Sequence, residues 1–301
     1  VGLLNDYVKI VRNRQGIDVV KQQLIHANKN GYTSLILTCR WGNIYVMNYL
    51  IHLTKDLYQN DAMNLNEIAD FLNHETEDKF TACITTLKES HDLEIALALF
   101  EFIRFVYKNN IKEAKICLEH KNQWGYTALN AGTAVKEDEK KEQIRTKMIE
   151  ELIKFAEEVY KDDNEGFRIF LTNDNSDKFP PLISAAIQGL YKRVRLLVRT
   201  YENKFGDDGF DDFINHQNKY ECSALRAAMI ENQYETATVL KELIDGHKIK
   251  FSRQFIPAIP LQKISFSPTL PWHQLTFFKW KEEPLFQEKN NVSIKVNSKI
   301  F

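Results

Sequence analysis

Two eight-residue stretches of this chain repeat one another. Asn28-Lys29-Asn30-Gly31-Tyr32-Thr33-Ser34-Leu35 and Asn122-Gln123-Trp124-Gly125-Tyr126-Thr127-Ala128-Leu129 share, in order, an amide, two variable residues, a glycine, an aromatic, a threonine, a small residue and a leucine. Internal repetition narrows the fold sharply, because a recurring unit is one that buries its apolar face against its own copies. Two further stretches keep part of the pattern. Pro180-Pro181-Leu182-Ile183-Ser184-Ala185-Ala186-Ile187-Gln188-Gly189 holds the proline, leucine, paired alanines and glycine, and Ser223-Ala224-Leu225-Arg226-Ala227-Ala228 holds the small-small-leucine opening. A weaker copy runs from Thr81-Ala82-Cys83 into His91-Asp92-Leu93-Glu94-Ile95-Ala96.

Each position has a physical reason. A threonine hydroxyl accepts from the unpaired N–H groups of a helix's first turn, and a proline there forfeits no helical bond. Small residues such as Thr38 and Cys39 let two helices approach closely. A glycine such as Gly42 ends the first helix in a left-handed conformation. Ile44, Met47, Leu50 and Ile51 then carry the spacing of a second helix. These stretches resemble the ankyrin repeat, D-x-x-G-x-T-P-L-H-x-A-A-x-x-G, over roughly residues 10–245. The resemblance implies an all-α fold: an ankyrin-repeat solenoid of about five irregular, insertion-lengthened repeats over residues 1–246. A capping half repeat is expected at about residues 7–27, with 16–25 as its outer helix.

The departures are informative. Thr33, Thr81, Thr127, Pro180 and Ser223 stand 48, 46, 53 and 43 residues apart, against an ankyrin period of about 33. Every repeat therefore carries an insertion of about 10–20 residues. Part of it reads as longer helix, at 138–160, and 56–73 reads as an extra helix. Residues 161–166 and the acidic stretch 206–212 read as loops. The family's histidine after the leucine is replaced by Ile36, Asn130, Ile183 and Arg226, which removes a bond between neighbouring repeats.

From residue 247 the character changes. Five of seven prolines and two of four tryptophans lie there, so a non-helical tail is expected, whose runs 261–266, 275–280 and 292–296 suit short β-strands. Its aromatic content favours packing on the last repeat, with partner binding as the alternative.

Several function classes are disfavoured. Lys and Arg total 40 against 41 Asp and Glu, so no nucleic-acid partner is expected, although a local basic patch is compatible with that balance. No phosphate-binding loop, nucleophile elbow or zinc-protease motif occurs, so no catalytic residue, cofactor or metal is assigned. The acidic stretch offers Asn218 where a calcium loop beginning at Asp207 requires its twelfth ligand. Cys39, Cys83, Cys117 and Cys222 lack metal-ligand spacing and read as reduced, buried thiols, fitting a cytoplasmic chain. No membrane span and no signal peptide are expected, and a monomer is assumed.

The resemblance implies instead a protein partner, held on the concave face formed by the loop tips and the first helices. The positions that map there are Tyr32, Arg40, Trp41, Trp124, Tyr126, Phe179, Gln188, Tyr220 and Glu231, with Ile187 and Ile230 beside them. Trp41 and Trp124 stand out as anchors, since aromatic residues and arginine dominate interfaces. The Lys/Asn/Phe/Ile-rich composition and the ending, with Glu282, Glu283 and Glu288 before Ile300-Phe301, resemble the ankyrin effectors that Legionella-type intracellular bacteria secrete into the host cytosol, which makes a host protein the expected partner. An enzyme, or a ubiquitin-ligase adaptor like the poxvirus ankyrin proteins, whose C-terminal region carries the activity, is the alternative.

Overall fold

A computed structural model describes residues 16–108 and 110–251, and every regular element among them is a helix. Fifteen helices follow one another in sets of three. A lone helix, α1 (Ile17–Ile25), comes first. Four sets of a short, a long and a third helix come next: α2 (Ser34–Trp41), α3 (Ile44–Gln59) and α4 (Leu65–Leu72); α5 (Ala82–Glu89), α6 (Leu93–Tyr107) and α7 (Ile111–Glu119); α8 (Ala128–Ala134), α9 (Glu139–Val159) and α10 (Asn164–Thr172); α11 (Pro181–Ile187), α12 (Tyr191–Phe205) and α13 (Phe210–Asn215). A short α14 (Ala224–Ile230) and a long α15 (Tyr234–Phe251) close the described residues.

The lengthened spacing thus has one recurrent cause, a third helix in every unit. Its sequence mark is an apolar triplet at i, i+3 and i+4, which makes one buried stripe on a short helix. The triplets are Ile68, Phe71 and Leu72; Ala114, Cys117 and Leu118; Phe167, Phe170 and Leu171; and Phe210, Phe213 and Ile214, all buried. Each Ile, Leu or Phe so buried contributes about 1.5–3 kcal/mol. Asn64 and Glu67 form a capping box at the start of α4, while Asn110 and Asp163 cap α7 and α10.

Three expectations change here. The stretch 161–166 is not a loop throughout, because Asp163 caps a helix that starts at Asn164. The acidic stretch turns helical at Phe210, whose ring is needed in the core. Residues 16–25 do form a helix, but α1 sits in the place of a third helix, packed on the long helix α3.

Short helices pack on one another in chain order, α2 on α5, α5 on α8, α8 on α11 and α11 on α14. Long helices do the same, and the third helices α7 and α10 each lie against the long helices before and after them. Small residues permit the close approach. A Cβ at Gly132 in α8 would stand 3.1 Å from Ile149 Cγ1 and 3.2 Å from Leu87 Cδ1. Aromatic rings fill two of these contacts: Phe100 stacks on Phe155 between the long helices α6 and α9, and Tyr201 stacks on Phe213 at 4.1 Å between α12 and the third helix α13, each pair adding about 0.5–1.5 kcal/mol beyond burial.

Two buried arginines join the third unit to its neighbours. Arg145 of α9 pairs with Glu137 and donates to the Leu87 carbonyl at the end of α5. Arg193 of α12 donates to the carbonyls of Gly132 and Val135 at the end of α8, each at 2.6 Å, and contacts Glu142. Burial pushes the Glu142 carboxyl up and pulls Arg193 down to about 10. Both short helices thus end on a guanidinium, which suits the negative end of a helix dipole.

The last helix runs past the expected boundary at 246/247, because His247 is part of the packing. It is buried, stacked on Phe210 with ring centroids 3.5 Å apart, and flanked by Glu202 and Asp207. The tail from residue 252, its expected strand runs and residues 1–15 of the capping region lie outside the described residues. Among the described residues no helix is long and apolar enough to cross a membrane, and no group of three or more His, Cys, Asp or Glu side chains is placed to hold a metal ion. The four cysteines are free and buried.

Candidate protein-binding face

The loops before the short helices span 26–33, 73–81, 120–127, 173–180 and 216–223, and all five close the same turn. The side-chain oxygen of Asn28 accepts from the backbone N–H of Asn30 at 3.0 Å and of Tyr32 at 2.9 Å. Asn122, Asn175 and Asn218 repeat both bonds. In the second loop Thr76 takes the asparagine's place and accepts from Phe80. A short polar side chain holding its own following backbone is the reason for an amide at this position. Thr33, Thr81, Thr127 and Ser223 then cap the short helices, each contributing about 1 kcal/mol.

The turn needs one left-handed residue, which is Gly31, Lys79, Gly125, Lys178 and Glu221 in the five loops. Glycine occurs where the next loop comes close. A Cβ at Gly31 would lie 2.8 Å from Thr76 Cα, and one at Gly125 would lie 2.5 Å from the Ser176 nitrogen. Neighbouring loops are tied through backbone bonds, Glu77 N to Asn30 O, Gln123 N to Asp78 O and Ser176 N to Trp124 O. The fourth and fifth are joined by a Lys219–Asp177 ion pair and by the rings of Phe179 and Tyr220.

A histidine two residues before the turn residue adds a further tie. His120 Nε2 lies 3.0 Å from the Lys79 carbonyl, and His216 Nε2 lies 3.3 Å from Asp174 Oδ1. His26, His74, His120 and His216 share this position, with Asn173 in the fourth loop. Sequence reading missed the series, although its spacing to the turn residue is constant.

The structure gathers some of the expected binding residues and withdraws others. Trp41 is 76% exposed at the end of α2. Arg40 beside it donates to the Tyr32 hydroxyl at 3.3 Å, pairs through Nε with Glu89 Oε2 at 2.8 Å, and sets its guanidinium 5.6 Å from the Tyr32 ring and 5.5 Å from the Trp41 ring. Trp124 is half-buried and meets Phe80 edge-on at 5.9 Å. Tyr126 and Phe179 are buried and present no surface to a partner, and Ile187 is buried too. The residue just before the helix cap points into the stack of loops, whereas the residue two after the asparagine stands at the tip. Tyr220 is half-buried against Phe179, Gln188 and Ile230 are half-buried, and Glu231 is exposed.

The second unit contributes residues that sequence reading passed over because its copy of the motif is weak. Lys88 and Glu89 lie among Tyr32, Arg40 and Trp124, while Phe80, buried like Tyr126 and Phe179, supports Trp124 and Lys88 from within the stack of loops. The Lys88 ammonium sits 4.5 Å from the Phe80 ring centroid and 3.7 Å from Glu89 Oε1. Burial lowers its pKa to about 8, against the opposing pull of Glu89. The resulting cluster, aromatic rings around a shared carboxylate and two cations, spans the first three units. Such a surface offers large rigid contact area with polar groups already oriented.

Comparison with known proteins adds no family to this description: no family model matches the sequence, and no curated protein matches it.

Proposed function

We propose that this chain is an ankyrin-type repeat array, its units lengthened by a third helix, and that it binds a protein partner through the loop tips and the ends of the short helices. The observation that carries the reading is Trp41, a tryptophan more than three-quarters exposed beside a guanidinium already fixed by Tyr32 and Glu89. An aromatic residue left in water next to an oriented arginine is the composition of an interface anchor. Uniform loops support it, since one rigid turn holds a different tip in each unit: Asn30, Asp78, Trp124, Asp177 and Tyr220. The array acts as a holder without chemistry of its own, and the resemblance of its Lys/Asn/Phe/Ile-rich composition and irregular repeats to bacterial ankyrin effectors favours a host protein, met in the host cytosol after secretion, as the partner.

The test is quantitative capture from eukaryotic lysate with the full chain, wild type against Trp41→Ala and the double variant Trp41→Ala/Trp124→Ala. An anchor removed from an interface costs about 2 kcal/mol or more, roughly thirtyfold in affinity. Loss of one set of proteins, with the melting temperature of Trp41→Ala unchanged, supports the reading. Equal recovery by wild type and the double variant overturns it.

A further inference from the structure

We infer that α12 carries a second docking surface, a cationic stripe of Lys192, Arg195 and Arg199 that takes a short acidic segment of a protein partner. The starting point is where arginines go in this molecule. Of the eight described arginines, six are engaged: Arg40 with Glu89, Arg104 with Glu158, Arg145 with Glu137, Arg168 with Asp208, Arg193 with Glu142, and Arg226 with the Glu221 carbonyl. Arg195 and Arg199 have no ion pair or hydrogen bond among the described residues, and both belong to the well-packed long helix α12, not to a loop.

Their spacing makes the omission meaningful. Residues four apart lie on one helix face, about 5–6 Å apart at Cβ, and two like charges there repel and weaken the helix. Lys192 stands on the same face three residues earlier, and its contact to Glu139 is at the limit of an ion pair, 3.9 Å. Arg199 is exposed, while Lys192 and Arg195 are half-buried, so their stems lie on the protein and their heads reach solvent. The stripe is about 10 Å long at 1.5 Å per residue.

Charge complementarity selects the occupant. A guanidinium grips a carboxylate with two parallel bonds, and alternate residues of an extended chain place carboxylates roughly 7 Å apart on one side, close to the separation of the two arginines. A polynucleotide or an anionic membrane needs a broad basic face. Here Glu139 borders one end of the stripe and Glu202 follows Arg199 within one turn, which limits the attraction to a short segment. The surface lies on a long helix, apart from the loop tips and short-helix ends proposed above, so it stands or falls independently of them.

The experiment is fluorescence anisotropy with the full chain and a labelled eight-residue peptide alternating glutamate and threonine, with glutamine in place of glutamate as the control. The expected result is salt-sensitive binding of the acidic peptide alone, weakened about tenfold or more in R195E/R199E, weakened also in R195Q/R199Q, and unchanged in W41A/W124A. Thermal melts confirm that the variants fold; R195Q/R199Q, which removes the like-charge pair, leaves the melting temperature equal or higher. The inference is overturned if the peptide does not bind, if it binds the charge-reversed protein equally well, or if duplex oligonucleotide or phosphatidylserine vesicles bind through the same arginines more tightly than the peptide does.

Discussion

Arg145 and Glu137 meet in a two-pronged pair, Nε to Oε2 at 2.9 Å and Nη2 to Oε1 at 2.7 Å, with side chains only 1% and 7% exposed. Burial pushes the Glu137 carboxyl up, but the bonds and charge of Arg145 outweigh it and hold the carboxyl below its usual range. Arg145→Met leaves that carboxylate buried with only His91 Nδ1 at 3.0 Å and Arg193 Nη2 at 4.0 Å beside it. The expected loss is about 3–5 kcal/mol in chemical denaturation. Changing both residues, R145M/E137M, is expected to cost less than the single change. A double variant no more stable than Arg145→Met would place the cost in the lost bond to Leu87 instead.

The loop turns give a pair of opposite predictions. Gly125→Ala puts a Cβ 2.5 Å from backbone of the next loop, in a left-handed conformation as well. It should destabilise by about 2 kcal/mol or more and shift the melting temperature down by several degrees. Lys178 holds the same conformation, φ 57°, with a side chain. Lys178→Gly relieves that strain and should stabilise by about 0.5–1 kcal/mol, net of the entropy glycine adds to the unfolded chain. Equal responses at the two sites would contradict the close approach described for Gly125.

His216 predicts a pH dependence. The Asp174 carboxylate raises its pKa above the ordinary histidine value of 6.5, against an opposing effect of burial. A group raised on folding binds its proton more tightly in the folded chain. Its contribution is therefore complete below about 6.5 and is lost as pH rises through the folded value. The fourth and fifth loops should loosen as pH rises above about 6.5, read as lower protection factors at residues 216–223 once the intrinsic rise of amide exchange with pH is divided out. In His216→Gln that change should disappear; if it persists, another group drives it.

The third helices predict a contrast within one turn. Leu118 is fully buried in α7, whereas Ile116 is 47% exposed. Leu118→Ala should cost about 2–5 kcal/mol, and Ile116→Ala should stay within about 0.5 kcal/mol. Urea midpoints measured on both variants decide it.

The legible parts of the fold were those with strong local chemistry. The asparagine turn and the threonine cap fix a loop and a helix start within eight residues, so Asn28–Thr33 and Asn122–Thr127 could be read directly. The third helix rests on three apolar residues in one turn, such as Phe167, Phe170 and Leu171, too short a pattern to separate helix from strand. Asp163 and Gly166 therefore read as loop residues, although one caps the helix and the other sits in its first turn. The tie between units was expected to weaken with the loss of the family's histidine, yet His120 and His216 supply ties from another position. Of the expected binding residues, Trp41 and Arg40 lie on the surface, while Tyr126 and Phe179 are consumed by loop packing, an outcome that depends on the next unit and is invisible within one copy.

One consequence follows from the constant loops. Their length stays at eight or nine residues, while the long helix varies, reaching 21 residues in α9, and the third helix shrinks to six in α13. Insertions and deletions are thus absorbed in one stretch of each unit, and chemical novelty is written in another. Trp124 and Tyr220 stand at tips yet also serve the joints, since their rings meet Phe80 and Phe179 of the preceding loops, so an exchange at either tip is felt by the neighbouring unit as well.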